Sequence, residues 1–436
     1  VLINRNFRLL AAGQAVSLTG DYVFDTTLTL WVGTVLLAGR SYAPAAVAGL
    51  LVTVAVATLL VAPLAGVFVD RWNRRRTMLA ADLIRAALIG GVAVLAFLPA
   101  GTVATGAMVA VVYAAVFLSA AVSQFFSPAR FAMIGEVVGE QDRGRAAGIG
   151  QSVQGIAAIL GPPLAAPLLF TAGVRWALVL NALSFLVSFA LVRGVWPEPR
   201  AVRPAAGRQG VGAELVAGLR TVASSAVVKA LLTTVVLCSI GFAALNSVNV
   251  FFVTDNLHVA AKWYGTLDML LGVGLLVGAT MAAPLGQRFG HRRTFPLGLL
   301  GAGALLLWYS RMTQLWPALA LVTVLGVALA VFNAAVAPLL IAAVPPQYLG
   351  RVFSVIGPVQ QVASVAGMSM AGWFASSVPR GFHADLGGLR VGRIDMIISC
   401  SGLLTVAGAL YALYALRERA AVRPVGAQAA VPEAEA

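Results

Sequence analysis

Asp21 and Asp25 stand four residues apart inside a long apolar stretch, one helical turn from each other and therefore on one face. In mid-membrane a charged acid costs roughly 2.5–3.5 kcal/mol on insertion scales, so it must face a polar cavity or hold a proton. Two carboxylates on one face repel when both are charged, an arrangement that suits exchange of a proton for a cationic or polar solute. Asp25 is read as a proton-coupling and substrate-binding residue. Asp21 is either its partner in coupling or a helix-packing contact. Asp268, a few residues into a later apolar stretch, is a second protonation site or an outer-gate contact. Asp82 and Arg85, at i and i+3, are placed to pair with each other, with a link to Asp70 as a further option.

The elements that must hold these acids are membrane-length helices. The chain has 436 residues, 60% hydrophobic and 11% charged, which is too apolar for a water-soluble protein of this length. Its apolar runs give twelve spans, over residues 8–38, 44–69, 77–98, 103–127, 145–170, 174–196, 228–254, 262–286, 294–312, 316–343, 351–377 and 393–416. With both termini cytoplasmic, cytoplasmic segments hold 22 of the 30 Lys and Arg residues and the outer loops 7, while Arg85 lies within a span. That asymmetry is the positive-inside rule, and it explains the net charge of +14 without nucleic acid. Cys238 and Cys400 fall inside spans and imply no disulfide framework. His258, His291 and His383 have no metal-ligand spacing, and no phosphate-binding GxxxxGK[ST] loop is present.

The spans fall into two sets. The stretch from Gly66 through Asp70, Arg71, Asn73, Arg74, Arg75 and Arg76 has a worn copy ending at Arg292-Arg293-Thr294, 217 residues after Arg75-Arg76-Thr77. Gly144-Arg145, Gln154, Gly161 and Ala166 recur 206 residues later as Gly350-Arg351, Gln360, Gly367 and Gly372. A basic turn repeated once per half, between spanning helices, indicates a duplicated transporter. The expected units are a six-helix bundle at 1–196, a cytoplasmic linker at 197–227, a second bundle at 228–418 and a disordered tail at 419–436. Within the linker, residues 214–223 read either as a short surface helix or as loose chain.

The pattern G-x-x-x-D-R-x-x-x-R-R from Gly66 to Arg76 resembles motif A of the major facilitator superfamily. The run from Gly148 to Ala166, with Gly161 and Pro162, resembles the antiporter motif in that family's fifth helix, although Ala157, Ala165 and Ala166 replace glycines. The opening NFRLLAAGQAVSLTGDYVFD and the phrase FFSPAR at 125–130 resemble its macrolide-efflux-like drug exporters. The resemblance implies an all-α fold of twelve transmembrane helices in two pseudo-symmetric bundles. It also implies that Asp70 helps latch the cytoplasmic side, with Gly66, Arg71, Arg74, Arg75 and Arg76 as gating residues or, for the arginines, topogenic charges. Asn73 replaces the family's usual glycine, and Asn is among the few other residues that tolerate the left-handed conformation such a turn can need. Gly161, Pro162 and Gly367 are expected where the halves rock, unless tight helix packing alone explains them. Many proton-driven members carry an arginine within helix 4, whereas the span 103–126 has none.

By the same resemblance helices 1, 4, 7 and 10 line a central cavity. Tyr113, Phe117 and Gln124 share one face of helix 4. Phe242, Asn246 and Asn249 come from helix 7, and Phe332 and Asn333 from helix 10, with Gln154 and Gln360 added from helices 5 and 11. Such a wall suits bulky amphipathic cations, while the alternative is that these aromatics face lipid or the bundle core. The expected protein is a secondary transporter, not an enzyme, without cofactor or metal. It exports drug-like or macrolide-like molecules by alternating access and proton antiport. The alternatives are an exporter of one defined metabolite such as a siderophore, or a lipid scramblase or sensor. Small-molecule substrate, protons and membrane lipids are the expected partners of a monomer. Twenty-eight Arg against two Lys, with abundant Ala and Gly, point to a GC-rich bacterial genome and hence to the inner (plasma) membrane.

Overall fold

The computed structural model describes residues 3–69, 71–99, 101–196, 226–344, 346–386 and 389–417. The expectations for Asp70, for most of the linker and for the tail therefore lie outside the described residues. The described chain forms twelve helices. The first six are α1 (Arg5–Leu30), α2 (Ala43–Val69), α3 (Arg74–Phe97), α4 (Thr105–Val137), α5 (Arg143–Pro167) and α6 (Val174–Arg193). The second six are α7 (Ala226–Phe251), α8 (Tyr264–Phe289), α9 (His291–Tyr309), α10 (Leu315–Ala343), α11 (Pro346–Ser377) and α12 (Arg393–Arg417). A short hairpin, β1 (His383–Leu386) with β2 (Leu389–Gly392), precedes α12.

Helices dominate because an apolar chain in lipid must satisfy every backbone group within its own segment. Nine of these segments are long and apolar enough to cross a membrane by length and composition alone. The others are α1, α9 and α11. α1 carries Arg5, Arg8, Asp21 and Asp25, α9 has only 19 residues and begins on His291-Arg292-Arg293, and α11 is interrupted by glutamines and serines. Polar content here marks helices that turn part of their surface toward the protein interior.

One packing pattern appears twice. α1 packs on α5 and α6, α3 on α4 and α6, and α2 on α4. Six helices later, α7 packs on α11 and α12, α9 on α10 and α12, and α8 on α10. Between the two groups α2 meets α11 and α5 meets α8, a pairing that the same six-helix shift exchanges.

The groups meet at one end of the bundle, opposite the chain termini. There one hydrophobic core joins Phe24, Leu30 and Trp31 to Val248, Phe251, Tyr309, Ala375 and Ile398. Toward the termini the core divides in two, with Leu10, Met78, Phe126 and Val192 in one part and Val228, Phe295, Leu340 and Val352 in the other. Close approach at the far end depends on absent side chains. A Cβ on Gly265 of α8 would lie 2.8 Å from the carbonyl carbon of Pro162 in α5, and one on Gly372 of α11 would lie 3.2 Å from Cα of Ala45 in α2. The Ala45 N–H donates to Ser376 Oγ at 2.9 Å, and Arg380 Nη2 donates to the Arg40 carbonyl at 3.3 Å, both at this end.

Two local expectations are corrected, and the turn at Asn73 takes a form other than the left-handed one. α4 does not stop near residue 127 but continues to Val137, so Arg130 does lie within helix 4. Its last turns are held by polar contacts rather than lipid: Arg130 pairs with Gln14, Arg74 with Glu136, and Asn4 Nδ2 donates to the Val137 carbonyl at 2.6 Å. Asn73 is not left-handed; with φ −67° and ψ 110° it is the N-cap of α3, its Oδ1 accepting from the Arg76 N–H at 3.0 Å. Gly161 and Gly367 do not stand between the halves. Gly161 lies against Tyr22 of α1 and Gly367 against the backbone of Ile240 in α7, each within its own group.

Candidate functional site, a cavity in the second helix group

Five helices of the second group, α7 to α11, line a cavity of about 590 Å³. Phe242, Asn246 and Asn249 of α7, Asp268 of α8, Phe332 and Asn333 of α10 and Gln360 of α11 line it together, with Tyr309 of α9 added. The helical period brings them to one wall, since Phe242, Asn246 and Asn249 repeat at four and three residues. Polar groups are tied down as they enter. Tyr309 Oη donates to Asn249 Oδ1 at 2.9 Å, Asn246 Nδ2 donates to the Phe242 carbonyl at 3.0 Å, and the Tyr264 hydroxyl lies within reach of the Asp268 carboxylate. Phe332 packs against Phe295 with ring centroids 5.0 Å apart and planes tilted by 39°. Volume and lining match a small-molecule site, apolar with a few oriented polar groups and one acid.

In the first six helices the polar groups are arranged differently. Arg85 is 4% exposed and Asp82 fully buried, and Arg85 Nη2 donates to Asp82 Oδ1 at 2.7 Å. The other side of the same guanidinium faces α1, with Nη1 3.7 Å from Asp21 Oδ2. Phe185 and Phe126 cover the cation, their ring centroids 4.2 and 4.9 Å from its Cζ. The pairing of Asp82 with Arg85 was legible from their spacing; the reach to Asp21 was not, because it depends on how α1 and α3 are packed.

Asp25, one turn beyond Asp21, is exposed although Phe24 and Thr26 beside it are buried. It faces the space between the groups, near enough to Tyr264 of α8 for their charges to interact. Among the described residues Asp25 forms no ion pair. Gln154 of α5 is exposed on the same side, within hydrogen-bond reach of the Tyr22 hydroxyl.

Helix 4 contributes less to the cavity than its face predicted. Tyr113 Oη donates to the Ala46 carbonyl at 2.5 Å, and Gln124 Nε2 donates to Thr58 Oγ1 at 3.2 Å, so both polar ends are committed to α2. Phe117 is half-buried on that helix and is not part of the cavity wall described above. Of the gating candidates, Gly66 is half-buried near the end of α2, Arg74 pairs with Glu136, and Arg75 donates to the Arg193 carbonyl and lies 4.8 Å from the Trp196 ring. Arg71 and Arg76 border a groove with Trp72 and Phe125. Pro162 packs against Gly265 across the interface between the groups. Tyr309 and Tyr264 were not foreseen. Tyr309 lies at the end of a helix outside the expected lining set, and Tyr264 was overshadowed by Asp268 four residues on.

This geometry can be set beside known proteins. Macrolide efflux protein A of Streptococcus pyogenes is 23% identical over 383 residues, covering 85% of this chain and 90% of that protein. An uncharacterised MFS-type transporter of Bacillus subtilis, YkuC, is 24% identical over 318 residues, 70% of this chain and 71% of its own. Among solved structures, a bacterial homologue of the iron transporter ferroportin in an inward-facing state aligns with TM-score 0.71 at 15% identity, over 94% of this chain and 98% of that one. A D-xylose-proton symporter aligns with TM-score 0.70 at 16% identity, over 94% and 97%. The family profile of the Major Facilitator Superfamily matches residues 10–254 and 231–433. Two six-helix groups with one shared packing pattern, packed on each other at one end, are thus the fold of a multi-pass membrane transporter, and the chain belongs to the Major Facilitator Superfamily.

Proposed function

We propose that this transporter exports bulky amphipathic cations from the cytoplasm of a bacterial cell in exchange for protons, by alternating access of a cavity lined by its second helix group. The observation that carries the reading is the cavity itself. Asp268 stands there among Asn246, Asn249, Asn333 and Gln360 and the rings of Phe242 and Phe332, within a space of about 590 Å³. One acid among amides and aromatics favours a cation with a large apolar body over a sugar or an anion. In the first group Asp25, near Tyr264 of α8, supplies a carboxylate for the counter-moving proton. Likeness to a protein named for macrolide efflux agrees with an export role.

With the termini on the cytoplasmic side, as the Lys and Arg distribution favours, the pinched end faces outward and the divided core faces the cytoplasm. Loading from the cytoplasm then takes place in this conformation. Gating falls to the Pro162–Gly265 and Gly372–Ala45 contacts on the outer side. On the cytoplasmic side it falls to the loop from Gly66 to Arg76, where Asp70→Asn should shift a cross-link reporter toward cytoplasmic opening.

Transport of a lipophilic cation in proteoliposomes under an imposed pH gradient tests the reading. Flux should follow the gradient in the wild type and lose that dependence when the acids are replaced by amides. Flux of the cation that ignores the gradient would remove proton antiport and leave the fold intact. Flux of a neutral sugar but no cation would remove the substrate class.

A further inference from the structure

The ionic cluster of the first six helices has a consequence for the transported proton. We propose that Arg85 is a positioning residue for coupling, clamping Asp82 and Asp21 into one ionic unit so that Asp25 alone on α1 carries the exchanged proton. The inference rests on the antiport reading above, and adds which carboxylate titrates and what withholds its neighbour from doing so.

What decides the matter is the set of contacts to a buried cation. Arg85 is 4% exposed, deep among α1, α3, α4 and α6, and a guanidinium does not lose its proton in a protein. A buried cation needs an anion, because breaking such a pair leaves an uncompensated charge. Asp82 supplies one contact at 2.7 Å and Asp21 the second at 3.7 Å. Among the described residues Asp82 Oδ2 and Arg85 Nε find no hydrogen-bond partner, so the contacts with Asp82 and Asp21 are the polar contacts that hold this guanidinium. Neutralising Asp21 would weaken the hold on a cation that cannot itself be neutralised. Asp25 has no such obligation.

The surroundings support this division. The titratable groups facing Asp25 are Asp21 and Tyr22 on its own helix and Tyr264 on α8. α5, packed along α1, has Arg143 and Arg145 only in its first turn, and α6 has Arg175 and Arg193 at its two ends. From α4, Phe126 faces Arg85, while Arg130 is turned to Gln14 nearer the chain termini. Gly20, beside Asp21, lies against Ser184 and Asn181 of α6, so α1 is held close where the clamp operates, while Asp25 one turn later is exposed. In the cycle, the carboxyl O–H of Asp25 breaks as its proton passes to cavity water on the cytoplasmic side when the cation binds. The O–H bond re-forms with a proton from the outer side after the cation leaves, and no electrons move.

The test uses the full-length protein in detergent and in proteoliposomes, with tetraphenylphosphonium as the cation and a pH indicator in weakly buffered solution. Wild type should release a proton on binding tetraphenylphosphonium. Asp25→Asn should abolish that release and reduce gradient-driven flux about tenfold, within the usual span of a coupling free energy. Asp21→Asn should keep the release while lowering the unfolding temperature. Arg85→Gln alone strands Asp82 and threatens folding, so Arg85→Gln/Asp82→Asn removes both charges together. With its cation gone Asp21 joins the titration, and proton release should increase over wild type. Release abolished by Asp21→Asn but retained in Asp25→Asn overturns the proposal and leaves antiport standing. Unchanged release in the double variant also overturns it. Absence of release in the wild type, with flux indifferent to pH, brings down the antiport reading itself.

Discussion

The two helix groups repeat one packing pattern but treat charge in opposite ways. In the first, an arginine and two aspartates are drawn into the interior, joined at 2.7 and 3.7 Å and covered by Phe126 and Phe185. In the second, one acid faces a cavity with four amides around it. Two similar frames thus carry different interiors, one an ionic cluster and the other a cavity with a single acid. The two loops copied between the halves diverge likewise. The first starts its helix with an Asn73 side-chain cap, and the second turns on Gly290 at φ 78°.

The contrast can be broken most forcefully at Arg85. Arg85→Met leaves Asp82 buried without its cation, and should destabilise the protein by about 3–5 kcal/mol. Thermal unfolding in detergent measures this, and a loss below about 1 kcal/mol would show that the cluster is not an ionic unit. On the other side, Asp268→Asn should weaken binding of tetraphenylphosphonium by at least about tenfold, a difference of roughly 1.4 kcal/mol, while sparing a neutral analogue. Equilibrium binding of both compounds separates a cation contact from general damage to the cavity.

A third prediction concerns the interface that both groups share. Gly372→Leu inserts a side chain where Ala45 already stands at contact distance, and overpacking of this kind costs about 1–3 kcal/mol. The protein should relieve it by separating α2 from α11 at the far end. Distances between spin labels on residues 42 and 378 should lengthen, and an unchanged distribution would deny this contact a role in closure. The smallest effects belong to the loops. Asn73→Ala removes a cap worth about 1 kcal/mol, and Gly290→Ala meets a positive φ at about the same cost. If only the first also alters transport, the basic turn of the first half is more than a connection.

Much of this was legible in the residues. Span number follows from apolar length, because the bilayer sets how many residues a crossing helix needs. The lining of the second group was readable from Phe242, Asn246, Asn249, Phe332, Asn333 and Gln360, since helical period and the internal repeat together specify a face. Helix 4 was less readable. Tyr113 and Gln124 share a face as expected, yet α2 lies against it and takes both polar ends. The end of α4 was missed because Arg130 and Glu136 interrupt the apolar run, and partners on α1 and α3 stabilise the helix where hydropathy predicts it should stop.

What the chain determined by itself is therefore what depends on period, length and composition: twelve helices, two related sets, acids in the interior and a basic turn in each half. What only the tertiary structure decided is which groups meet. Asp21 reaches Arg85 across two helices, Tyr309 reaches Asn249, and Pro162 rather than Gly161 touches the opposite group. A one-dimensional pattern specifies the face a side chain occupies. The neighbour on that face depends on the rotation and offset of another helix, and the packing of the whole bundle sets both.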